Sequence, residues 1–180
     1  MKLRDVIITI LGAMGDHVES KTKIQKICYF LAIILKRDFG FKAHYYGPYS
    51  QHVEEALDDL IGMGFVTTAT INFGTAPSGF EVVRYDYSLT KDGKIMYENI
   101  KSNTESIEIT KFINKLKTPK NIDYLKLSIA AKSYYVLNKE DQPMQKQKIR
   151  EKAKQFKWDI TEGDINSAIS FLENIDLVRK

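Results

Sequence analysis

Residues 21–66, KTKIQKICYFLAIILKRDFGFKAHYYGPYSQHVEEALDDLIGMGFV, leave few folds open. Ile24, Ile27, Cys28, Leu31, Ile34 and Leu35 recur at helical spacing. Tyr29, Phe30 and Ile33 widen that apolar arc beyond what one partner would need. A helix apolar over most of its circumference packs on several sides, so this segment reads as the central helix, ending near Arg37–Gly40. Phe41 to Tyr46 is aromatic and alternates loosely, which predicts a short strand. Gly47-Pro48 breaks it, and Ser50 is placed to cap a second helix. That helix carries Val53, Ala56, Leu57, Leu60 and Ile61 inward and stops at Gly62 and Gly64.

The flanks complete a pattern. Leu3, Val6, Ile7, Ile10, Leu11 and Met14 form one helical face ahead of this stretch. Gly15-Asp16-His17 reads as a turn, with Ser20 as the next N-cap. After the stretch, Phe65 to Phe73 is rich in strand formers, and residues 74–79 are a Gly/Pro/Ser loop. In the return strand Val83, Tyr85, Tyr87 and Leu89 alternate with Arg84, Asp86 and Ser88, predicting one buried and one wet face. Thr90 caps the following helix, which Gly93 weakens by about 1 kcal/mol relative to alanine. Three helices followed by a β-hairpin predict an α+β fold, a winged helix-turn-helix over residues 1–103.

Beyond the polar junction at residues 101–106 the pattern is helical only. Ile109, Phe112, Ile113 and Leu116 define one helix, ended by Thr118-Pro119. Ile122, Leu125, Ile129, Ser133 and Val136 line the next, with Ser128, Ala130 and Ala131 small enough for close packing. Pro143 suits the first turn of a helix that points Ile149, Ala153 and Phe156 inward. Thr161-Glu162-Gly163-Asp164 reads as a capped start for a last helix using Ile165, Ala168, Ile169 and Leu172. Residues 104–180 are thus a helical extension packed on the winged helix, or part of one composite domain with it.

Charge is unevenly placed. Residues 1–100 hold 11 Lys and Arg against 12 Asp and Glu, whereas residues 101–180 hold 16 against 11. The basic character belongs to the extension. No apolar run approaches the roughly 20 residues needed to span a bilayer, and the N-terminus makes a poor secretory signal. The lone Cys28 lies in an apolar helix face and reads as core filler in a cytoplasmic protein.

With these residues in place, the chain resembles the YwgA-like family of small prokaryotic proteins and, more distantly, the Panacea antitoxin-type domain. The resemblance rests on the helix KIQKICYFL, the segment FKAHYY, the corner Gly47-Pro48-Tyr49-Ser50 and the helix VEEALDDLIGMGFV. It covers roughly residues 3–100 and weakens beyond. It implies a winged-helix-like fold, no catalytic residues to carry over and, from the Panacea side, an antitoxin or adaptor role in which the domain binds a protein partner. A shared fold does not by itself fix function.

The helix after the corner occupies the position of a DNA-reading helix, which calls for Arg, Lys, Asn or Gln toward bases and phosphates. It offers Gln51, His52, Glu54, Glu55, Asp58 and Asp59, and no Lys or Arg. Phosphates repel such a face. It reads as a solvated surface or as a protein-docking surface of Tyr49, His52, Glu54, Glu55, Asp58 and Asp59. Tyr45, Tyr46 and Tyr49 are expected to pack the central helix against the wing, or Tyr49 and His52 to border a pocket.

A second function class stays open. Lys146, Arg150, Lys154 and Lys157 are spaced as one cationic stripe, flanked by Lys148 and Lys152 and opposed by Glu151. Besides a solvated face, it fits an acidic protein partner, or nucleic-acid phosphates contacted together with Arg84 of the wing. Beside Asp86, Arg84 also fits a cross-strand ion pair. Catalysis has little support. His17, His44 and His52 lack metal-ligand spacing, Cys28 lacks a basic partner, and no phosphate-binding glycine motif occurs. Asp92-Gly93-Lys94 and Glu151-Lys152-Ala153-Lys154 lie on no core strand with a second acid. The expectation is a non-enzymatic regulatory or antitoxin-like adaptor without cofactor, with nucleic-acid-binding regulator as the alternative. The last helix offers one route to a homodimer.

Overall fold

Two helices fill the centre of the molecule, α1 (Leu3–Ala13) and α2 (Lys21–Ile34). The computed structural model describes residues 1–79, 81–117, 124–140 and 144–178. On α2, Ile24 through Ala32 are all buried, as its wide apolar arc demands. On α1, Ile8 and Thr9 are buried along with the expected face, because α5 (Thr104–Lys117) covers its back. There Thr9 Oγ1 lies 3.3 Å from Ser106 Oγ, so a polar pair closes an otherwise apolar seam.

Around this pair run β1 (His17–Glu19), α3 (Gln51–Gly62), β2 (Val66–Thr75), β3 (Glu81–Leu89) and α4 (Lys91–Ile100). The antiparallel sheet has the order β1-β3-β2, with Val18 opposite Tyr87 and Val66 opposite Leu89. Strand β1 corrects the expected turn at Gly15–His17. Only Val18 of its three residues is buried, which is too little for an alternation to register. A second correction concerns Phe41–Tyr46. Only the single bridge Lys42–Tyr49 forms there, with Tyr49 N–H and Lys42 N–H each donating at 2.9 Å. The segment is a narrow hairpin, not a sheet strand.

The β2–β3 hairpin buries its core face only near its base. Val66, Tyr87 and Leu89 are inside, but the same face continues outward through exposed Tyr85 and Val83. On the other face Asp86 is buried, where the expected alternation calls for a wet residue. Its carboxylate accepts from Arg84 Nε at 2.7 Å and Nη2 at 2.9 Å, which draws its pKa below the usual range. The ion pair therefore runs along the strand, not across it, with Glu19 of β1 at 4.0 Å as the cross-strand contact.

Side-chain caps place the helix starts where serine and threonine occur. Ser20, Ser50, Thr90 and Thr161 accept from Lys23, Val53, Gly93 and Asp164 N–H, respectively. Gly93 has a further reason to be glycine, which corrects its reading as a weak helix former. A Cβ there would lie 2.1 Å from the Phe65 carbonyl oxygen, itself bonded to Thr90 N–H at 3.0 Å. Gly93→Ala will thus lower stability by about 2 kcal/mol, although helix propensity alone favours alanine by about 1 kcal/mol. Thermal unfolding is the check, with a fall of about 5 °C expected; a rise would mean that β2 and α4 separate freely.

The remaining helices are α6 (Tyr124–Glu140), α7 (Lys146–Gln155) and α8 (Glu162–Asn174). One apolar cluster joins α1, α2 and the sheet to Ile109, Phe112, Leu127, Ala131 and Leu172 of α5, α6 and α8. A second, smaller cluster under α7 contains Val136, Ile149, Ala153, Trp158, Ile160 and Ile165. On α6 the buried face is Leu127, Ala130, Ala131 and Val136 with Ser128 and Ser133, while Leu125, expected inside, is exposed. The small residues let α6 lie close to α2 and α8. Thr118, Pro119, Ile122 and Pro143 lie outside the described residues.

Candidate functional site

The corner between α2 and α3 is built from below by polar side chains. Gln25 and Lys26 stand between Ile24 and Ile27 on α2, and both are buried. The Gln25 amide pairs with Ser50 twice: Nε2 donates to the Ser50 carbonyl at 2.8 Å, and Ser50 N–H donates to Oε1 at 3.0 Å. Lys26, 1% exposed, donates from Nζ to the Pro48 carbonyl at 2.6 Å. Burial, with Lys132 of α6 adding like-charge repulsion, pushes its ammonium down to about 7. Ser50 Oγ donates to the Phe39 carbonyl while it caps α3.

Two more anchors come from distant parts of the chain. Ser128 Oγ of α6 donates to the Tyr46 carbonyl at 2.6 Å. Trp158 Nε1, just beyond α7, donates to the His44 carbonyl at 2.7 Å. Gly47, at φ +101°, packs under Lys132 Cγ and Lys26 Cε, where a Cβ would stand 3.1 and 3.3 Å away. The carbonyls of residues 44, 46, 48 and 50 are thus each held by a different buried side chain. Sequence reasoning missed Gln25, Lys26, Ser128, Lys132 and Trp158. The available signal was the polar pair Gln25-Lys26 inside an all-round apolar helix.

This clamp leaves Tyr45 and Tyr46 outside, 68% and 60% exposed, with their rings edge-to-face at 4.9 Å. They do not pack the central helix against the wing, because both rings stand in solvent. Tyr49 is half-buried; its ring lies 5.0 Å from that of His44, and its hydroxyl donates to Glu54. Glu54 also pairs with Lys21 Nζ at 2.5 Å, and these two hydrogen bonds draw its carboxyl below the usual range.

The remaining acids of α3 are out in solvent. Glu55, Asp58 and Asp59 are exposed beside exposed His52. Glu55 accepts from Gln51 at 3.0 Å, and Arg4 approaches Asp59 to 3.8 Å. Of the expected acidic set, Glu54 is committed internally and the other three present a negative strip.

Most of the basic residues stay on one helix, and Arg84 and Lys157 stand off it. Lys146, Lys148, Arg150 and Lys154 are exposed on α7, which packs on α6 and α8, away from the sheet. Lys152 pairs with Glu140 of α6 at 2.5 Å, and Lys146 and Arg150 share a small cavity with Glu162. Glu151 is therefore not the sole acid near the stripe. Lys157 lies past the helix end at φ +59°, next to Trp158 in the chain and off the helix that carries the stripe. Arg84 is held by Asp86 and sits 5.6 Å from the Phe73 ring centroid. Among the described residues, no group of three or more His, Cys, Asp or Glu could hold a metal ion, and no helix is long and apolar enough to cross a membrane. Cys28 is buried, and burial pushes its thiol well above the usual range, which makes it a poor nucleophile.

Neither models of known protein families nor curated proteins give a match to this chain.

Proposed function

We propose that the chain is a non-enzymatic, winged-helix docking module that binds a basic surface of a protein partner through α3. The observation that carries this reading is the exposed strip Glu55-Asp58-Asp59 on a helix without a single Lys or Arg. The order α1-β1-α2-α3-β2-β3, with the sheet order β1-β3-β2, supports the winged helix. In that arrangement α3 stands where a DNA reader is basic, and its charge turns it from phosphate toward cationic protein. His52 and Tyr49 border the strip, and the Lys21–Glu54–Tyr49 chain fixes its first turn. The likeness to YwgA-like proteins and to the Panacea domain points the same way, toward an antitoxin-like adaptor in a prokaryotic cytoplasm.

The test is charge reversal. Glu55→Lys, Asp58→Lys and Asp59→Lys together will abolish partner capture from native extract, with unchanged circular dichroism. The three sites are solvent-facing, so stability changes are expected to stay within about 0.5 kcal/mol each. Undiminished capture by the folded triple variant would remove α3 as the docking surface. The wing-based DNA reading gains no support from Arg84, whose guanidinium is already engaged by Asp86.

A further inference from the structure

The tip of the corner hairpin is rigid, aromatic and wet. Four buried side chains hold its carbonyls, from α2, from α6 and from the segment after α7. The paired backbones of Lys42 and Tyr49 close its base. Folding alone does not call for two large rings in water at the end of such a clamp. Pre-ordered aromatic side chains bind with little loss of conformational freedom.

Three lysines belong to the residues around the tip. Trp158, which holds His44, is followed backward by exposed Lys157. Lys132 lies along Gly47, its Nζ 5.8 Å from the Trp158 ring centroid. Lys42 stands exposed at the hairpin base. None of these three lysines has a carboxylate partner among the described residues. Two acids adjoin: Glu54, already bonded by Lys21 and Tyr49, and exposed Asp159.

We infer that this tip is a stacking platform for single-stranded nucleic acid, with bases on Tyr45 and Tyr46 and phosphates on Lys42, Lys132 and Lys157. Aromatic faces bordered by cations are what an unpaired strand needs, since every base has a π-face and every linkage a negative charge. The two rings meet at 87°, so each takes one splayed base rather than a continuous stack. A duplex offers no free base faces to such a tip, and its phosphates are repelled by neighbouring α3. The inference is independent of protein docking by α3, because it uses Tyr45, Tyr46 and the lysines and none of Glu55, Asp58 or Asp59.

Fluorescence anisotropy of the full chain with labelled oligothymidylate, oligouridylate and a mixed-sequence duplex tests it, at about 50 and 200 mM salt. Single strands are expected to bind at low salt and to weaken at high salt, ahead of the duplex. Tyr45→Ala with Tyr46→Ala will weaken binding at least about tenfold while keeping the salt slope. Lys42→Glu with Lys157→Glu will weaken binding and flatten the slope. Lys146→Glu with Arg150→Glu, on the far part of α7, will leave binding as it was. Every substituted position is exposed, and each variant is tested beside unchanged circular dichroism. No single-strand binding at low salt overturns the inference. So does full affinity in the tyrosine double variant, a preference for duplex, or equal displacement by polyglutamate, which would make the patch a dock for acidic protein.

Discussion

Gln25→Leu will destabilise the protein by about 3 kcal/mol, out of proportion to a single neutral amide. The substitution keeps size and apolar fit on α2, but it leaves Ser50 N–H without its partner and the Ser50 carbonyl with only the longer 3.3 Å bond from Glu54 N–H. Ser50 is fully buried, so neither group reaches water. Each buried unsatisfied backbone group costs about 1–3 kcal/mol. For a chain of this size the melting temperature should fall by about 6–12 °C. The matched control is Gln51→Leu, where an exposed amide meets only Glu55 and the change stays within about 0.5 kcal/mol. A Gln25→Leu protein as stable as the control would mean that the corner is not tied to α2 in solution.

The second large effect is a pH dependence traced to Lys26. Its ordinary pKa of 10.5 is lowered to about 7 in the folded chain. Between these values the unfolded chain holds a proton that the folded chain has released. Stability from this group therefore rises with pH across that window and is least below pH 7. The slope approaches about 1.4 kcal/mol per pH unit. Lys26→Met has no such proton to release. From pH 7 to 9 the native protein should gain about 2–3 kcal/mol relative to Lys26→Met in denaturant unfolding. Groups common to both proteins, including Cys28 and the buried tyrosines, cancel in the difference. Parallel profiles would place a charged Lys26 in the fold, with its ammonium reaching water.

The helical frame was legible because its signals are local. Ser20, Ser50, Thr90 and Thr161 announce helix starts through a hydroxyl and an amide three residues apart. The apolar arcs of α2 and α3 follow from spacing alone. What was not legible depends on partners far along the chain. The aromatic segment at Phe41–Tyr46 carries strand-like chemistry, yet its backbone is claimed by Ser128 and Trp158 before any sheet can pair with it. Strand β1 rests on one valine. Ile8 and Thr9 look like the wet side of α1 until α5 returns to cover them. At the candidate site the acids of α3 were readable as a charge pattern, whereas the clamp beneath the corner joins residues 25 and 158, and no spacing rule spans such a distance.

One bond in that clamp gives the molecule a built-in reporter. Trp158 is the chain's single tryptophan, it is buried, and its indole N–H is fixed on the His44 carbonyl. The intrinsic emission of the protein is therefore a reading of one place, the underside of the corner hairpin. A ligand that lifts the hairpin will expose the indole and move the spectrum to the red, while one that settles on the tip will leave its colour unchanged. Distinguishing a corner that bends from a corner that merely receives needs no dye, label or substitution.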